Sequence, residues 1–184
     1  MNHIDIMNPN KTKYREYFVT VDSANRDRNI WRNTNQYEVK MQPDGSFQGA
    51  TIDRAFKNVR SIEVINAIFP NANNVVNEMY IYLCIPEIDG VLESTNKIGN
   101  TALAQLVPHR VVGSFVYCMF DKDTHPKRYF PVEGVRIDRI TVEFRKRDGT
   151  LFDFGLDNPV GLPIANIVQT SVTFKIVVRD KVIP

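Results

Sequence analysis

Apolar and polar positions alternate with a period of two along most of this chain. Tyr17, Val19 and Val21 alternate with Phe18 and Thr20, and Tyr37, Val39 and Met41 alternate with Glu38 and Lys40. That period puts neighbouring side chains on opposite faces of a strand, so both segments predict half-buried strands. Ile62 to Phe69 begins the same way, with Ile62 and Val64 flanking Glu63, and from Ile65 onward becomes apolar on both parities. This pattern predicts a strand running from the edge to the centre of a core. Met79 to Ile85 is apolar on both faces and predicts a second covered strand, separated from the first by the polar break Pro70–Asn74. The two runs are read as the central strands of an all-β domain.

Val135 to Phe154 predicts a hairpin. Ile140, Val142 and Phe144 alternate with Thr141, Glu143 and Arg145 ahead of Asp148-Gly149. A three-residue loop, Arg147-Asp148-Gly149 with Gly149 left-handed, sets Phe144 opposite Phe152 and Val142 opposite Phe154, keeping all four on one face. Phe115–Phe120 and Gln169–Val178 complete the strands, and Pro43–Ser46 reads as a turn. Residues 50 to 57 fit a helical turn or a loop. Thr101–Leu106 (TALAQL) predicts one short helix, capped by Thr101 and stopped by Pro108. About eight strands without βαβ alternation predict an all-β, two-sheet antiparallel β-sandwich of jelly-roll type, with at most one short helix. Residues 1 to 15 are polar and aperiodic and read as an N-terminal extension; residues 16 to 184 read as a single β-sandwich domain.

Composition narrows function mainly by exclusion. With 23 basic against 21 acidic residues, the net charge of +2 supplies no electrostatic case for nucleic-acid binding. No stretch approaches the roughly 20 apolar residues of a membrane span, and MNHIDIMNPN lacks a signal-peptide core. A cytosolic site of synthesis and use is therefore expected, with Cys84 and Cys118 as buried free thiols. His3, His109 and His125 lie far apart without metal-ligand spacing, and no phosphate loop or nucleophile elbow is present. These readings point away from an enzyme, a metal and a cofactor. Arg139, Arg145, Lys146 and Arg147 make a basic hairpin tip suited to blunting an edge or meeting an acidic neighbour.

Four landmarks occur in order. They are Val19-Thr20-Val21-Asp22-Ser23 with Arg26-Asp27-Arg28-Asn29; Tyr37-Glu38-Val39; Asn58-Val59-Arg60-Ser61-Ile62-Glu63-Val64-Ile65 with Ile68-Phe69-Pro70-Asn71; and Ile137 to Phe144 with Asp148-Gly149 and Asp153-Phe154-Gly155. Together they resemble the minor capsid proteins of nucleocytoplasmic large DNA viruses, of the chlorovirus and mimivirus kind, over most of residues 17 to 155. The resemblance implies a jelly-roll-like sandwich lying beneath or between major capsid capsomers. Its partners would be the major capsid protein, other minor capsid proteins and further copies of itself. It implies a place on the inner face of a virion capsid, near an internal viral membrane without spanning it, with no nucleic acid bound. Tyr14, Arg26, Arg28, Trp31, Arg145, Lys146 and Arg147 are the candidate interface residues, with Trp31 and Tyr14 as anchors. The competing reading, a ligand- or carbohydrate-binding β-sandwich module, predicts aromatic side chains lining a concave wet face.

Overall fold

The computed structural model describes residues 13–42, 49–88, 90–121, 123–131 and 134–180. Residues 1–12 of the expected extension and the expected turn at Pro43–Ser46 lie outside the described residues. The strands are β1 (Tyr14–Asp22), β2 (Gln36–Met41), β3 (Ala50–Ile52), β4 (Phe56–Lys57), β5 (Val59–Pro70), β6 (Ile81–Cys84) and β7 (Ala102–Leu106). They continue with β8 (Arg110–Val112), β9 (Phe115–Met119), β10 (Lys127–Tyr129), β11 (Arg136–Ile137), β12 (Arg139–Arg145) and β13 (Ser171–Arg179). One sheet has the order β1-β13-β5-β9-β8, with β10 also on β5; the other has the order β3-β2-β12-β6-β7; β4 and β11 form a short ribbon. Every pairing is antiparallel except β2 with β3.

Eight of these strands pair in a nested way. β1 pairs with β13, β2 with β12, β5 with β9 and β6 with β7, first against last, as in one long folded hairpin. Contacts of β13 with β5 and of β12 with β6 then roll that hairpin into two sheets. This winding is a jelly roll, the expected all-β sandwich. The two runs around Pro70–Asn74 land in opposite sheets, and one shared core lies between them.

β5 explains the shift in apolar parity. Phe174 of β13 faces Val64 while Thr173 faces Asn66, which leaves Ile65 as an extra, unpaired residue. A bulge of this kind reverses the facing of every later residue. Ile62 and Val64 therefore point into the core before it, and Ala67 and Phe69 after it. The expected passage from edge to centre is not what occurs, because β5 is interior along its length, with β13 on one side and β10 or β9 on the other. Glu63, the charged residue between Ile62 and Val64, is 1% exposed. It stands between its cross-strand partners Lys127 and Lys175 at 3.0 and 3.3 Å, with His125 Nδ1 4.0 Å away.

The expected helix at Thr101–Leu106 is strand β7, preceded by a 3-10 turn over Gly99–Thr101. Thr101 is not an N-cap; its hydroxyl donates to the Ile98 carbonyl. Ala102, Leu103, Ala104 and Leu106 are all buried, and a segment apolar on every side gains more from pairing with β6 than from its own helix propensity. Residues 50 to 57 hold β3 and β4 rather than a helical turn. Cys84 and Cys118 are buried free thiols in opposite sheets. Burial pushes the Cys84 thiol up to about 11 and the Cys118 thiol up to about 12.

The hairpin tip takes the expected register. Arg145 bridges Leu151, Lys146 N–H donates to the Thr150 carbonyl, and Phe152 N–H donates to Phe144. Gly149 adopts φ +88°, where a Cβ would lie 2.7 Å from Ile98 Cδ1. The second arm does not run on as a strand, so Val142 pairs with Tyr37 rather than Phe154. Asn35 interrupts the ladder: its carbonyl accepts from Phe144 N–H and its Nδ2 donates to the Phe152 carbonyl. Phe152 and Phe154 instead drop into the core, where Phe154 meets Phe69 and Phe144 at ring separations of 5.6 and 5.4 Å.

Candidate interface surface

The long connection from β1 to β2 and the irregular segment from Phe152 to Thr170 meet at the end of the sandwich where β1 finishes. Asp22 starts the first of these by accepting from Ala24 N–H, and Asp27 turns it by accepting from Asn29 N–H. Between them Arg26 points inward. Its Nε donates to the Trp31 carbonyl at 2.8 Å. Nη1 donates to the Ser23 carbonyl and to Gln169 Oε1, and Nη2 to the Arg32 carbonyl and to Asp157 Oδ2 at 2.7 Å. All five guanidinium N–H groups are thus used. The Arg26 and Asp157 side chains are 0% and 2% exposed, so their ion pair sits out of water.

Asp157 organises the opposite segment. Its Oδ1 accepts from Asn158 N–H and Ala165 N–H, closing residues 157 to 165 into a loop. Burial alone would raise its pKa. Hydrogen bonds from the Ala165 N–H, the Arg26 guanidinium, the Asn158 N–H and the Gln169 amide together outweigh that and hold the carboxyl below its ordinary value. Arg28 ties the same loop from outside, donating to the Leu162 carbonyl at 2.7 Å and the Asn158 carbonyl at 3.3 Å.

The outer surface of this locked pair of loops carries exposed aliphatic side chains among polar ones such as Asn29, Arg32, Asn158 and Asn166. Leu156 is 83% exposed, Ile30 65% and Ile167 63%, with Val160 and Leu162 also exposed. Val76 and Met79 are exposed on the neighbouring connection, which Asn73 joins to the Asp153 carbonyl. Single exposed aliphatics are ordinary; here several sit on loops fixed by a buried ion pair.

The structure redistributes the expected interface residues. Arg26 is an internal lock and presents nothing to a partner. Trp31 is half-buried against the main core rather than a free anchor. Arg28 lies beside the apolar loops with its guanidinium engaged. Arg145 is held by Glu143 at 2.8 Å and by the Gly149 carbonyl, and Lys146 lies over the Phe152 ring. Arg147 is exposed but stacks over Tyr80. Tyr14 is exposed at the far end of β1. The apolar loops escaped the sequence reading because Leu156, Val160, Leu162 and Ile167 keep no strand or helix period.

A cleft of about 480 Å³ on the outer face of the second sheet is lined by Cys84, Ile88, Ile98, Thr101, Glu143 and Arg145 among others, with no aromatic ring. Its Glu143 carboxylate is already met by Gln36 and Arg145. Among the described residues no helix is long and apolar enough to cross a membrane.

A family model described as a family of unknown function (DUF5901) matches residues 3–87. The match takes in β1, the Arg26 connection and β5 but stops before Asp157. Among curated proteins, none matches the chain.

Proposed function

We propose that this chain is a structural minor capsid protein of a nucleocytoplasmic large DNA virus. In this reading it binds beneath or between major capsid capsomers and ties them together without catalysis or cofactor. The observation that carries the reading is the exposed apolar loop surface held rigid by the buried Arg26–Asp157 pair. A preformed apolar surface loses little entropy on docking, which suits repeated contacts in a shell. The resemblance of the motif residues to that family supplies the identity of the neighbours. A carbohydrate-binding sandwich has less support, because the cleft beside Cys84 and Glu143 lacks the aromatic lining that reading needs.

The test replaces Leu156 and Ile167 together by Ser and compares incorporation into particles of the encoding virus. Both side chains are largely in solvent, so the fold should melt as the wild type does. Incorporation should fall at least several-fold. Equal incorporation, or absence of the wild-type chain from purified particles, would overturn the proposal.

A further inference from the structure

An unpaired sheet edge is a template for another chain, and folds blunt it with short strands, prolines, bulges or a cover. Among the described residues the edge strands are β1, β8 and β10 in one sheet and β3 and β7 in the other. β3, β8 and β10 have three residues each, and β7 is buried except at Gln105, which is partly so. Among the described residues β1 has none of these protections. It runs for nine residues without proline, in unbroken register with β13, and no described strand pairs with its other side.

The direction of its backbone groups follows from its two ends. Asp180 N–H donates to the Lys13 carbonyl, and Ser23 N–H donates to the Thr170 carbonyl. Odd-numbered residues therefore turn their N–H and C=O groups toward β13. Tyr14, Glu16, Phe18, Thr20 and Asp22 aim theirs at the open edge. The same residues carry the outward face, where Phe18 is 68% exposed.

We infer that β1 is a self-pairing edge: two copies join antiparallel about a twofold axis at Phe18, continuing the six-stranded sheet from one molecule into the next. The register centred on Phe18 is the one that uses the whole strand. It sets Phe18 against Phe18, Glu16 against Thr20 and Tyr14 against Asp22, with two hydrogen bonds for each facing pair. A register centred on Glu16 would oppose two carboxylates. The contact is isologous and closed, so it yields a dimer and not a fibre. One strand pair is a small interface, below the roughly 1,200 Å² of stable complexes. Association of the isolated chain is therefore concentration-dependent.

Sedimentation equilibrium on the full chain tests this from micromolar to near-millimolar concentration. The mass should rise from 21.1 kDa toward twice that, and Phe18→Lys should hold it at the monomer. Register is tested by mixing Glu16→Cys with Thr20→Cys and adding a short bismaleimide. Facing positions lie about 5 Å apart; like positions lie four residues apart along the strand, about 14 Å. The mixture should cross-link and neither variant alone should, the buried native thiols staying silent. A monomer at every concentration overturns the inference, and so does a dimer whose mixture does not cross-link.

Discussion

Replacing Asp157 by Ala removes the one carboxylate that faces the buried Arg26 guanidinium. Arg26 keeps its carbonyl and amide acceptors but is left with an uncompensated charge out of water, and Asn158 and Ala165 lose the acceptor that closes their loop. Breaking a buried pair from one side costs about 3–5 kcal/mol. That is a large part of the 5–15 kcal/mol typical of a whole domain. At about 2–4 °C per kcal/mol for a chain of this length, the melting temperature should fall by roughly 6–20 °C. Urea unfolding of the variant beside Asp53→Ala, an exposed control expected within about 0.5 kcal/mol, gives the number. Acid should narrow the gap. The folded carboxyl titrates below its unfolded value near 3.9, so its contribution is complete above that value and lost as pH falls toward the folded one. Arg26→Met with Asp157→Leu should recover only part of the loss, since it removes the stranded charge but leaves the Ser23, Trp31 and Arg32 carbonyls and the Asn158 and Ala165 N–H groups without these partners. A single-variant cost below about 1 kcal/mol would contradict a buried Arg26 charge that depends on Asp157.

Other positions give independent expectations. Gly149→Ala meets Ile98 and a left-handed φ of +88°, and should cost about 1–3 kcal/mol in thermal melts. Glu63→Ala leaves Lys127 and Lys175 facing each other without their shared carboxylate, and should cost about 1–3 kcal/mol in urea unfolding. Cys84 and Cys118, raised to about 11 and about 12, should resist thiol reagents at pH 8 until denaturant exposes both. Fast reaction of the native protein would contradict their burial.

The hairpin tip was legible because a turn dipeptide and an unbroken alternation agreed on one register. Segments where local and long-range terms disagree were not. TALAQL carries good helix formers, yet its burial on all sides selected the sheet. The reversal at Ile65 depends on a bulge opposite β13, more than 100 residues away in sequence, and no local pattern encodes it. Arg26 and Asp157 are 131 positions apart, so a motif residue that looked exposed proved to be a lock. Asp22, Ser23, Arg26 and Asp27, which carry part of the resemblance to capsid proteins, all hold backbone in place. The apolar surface they support is borne by residues that follow no period.

Cross-linking mass spectrometry on purified particles of the encoding virus reads out a structural role in the shell. Lys146 and Lys97 flank the end of the sandwich that bears the apolar loops, since Asn96 donates to the Arg147 carbonyl there. A capsid-tying protein should be present at high copy number and give repeated links from these two lysines to the major capsid protein. A chain abundant in infected cells but missing from particles, or linked to capsid only through lysines at the opposite end, would contradict that role.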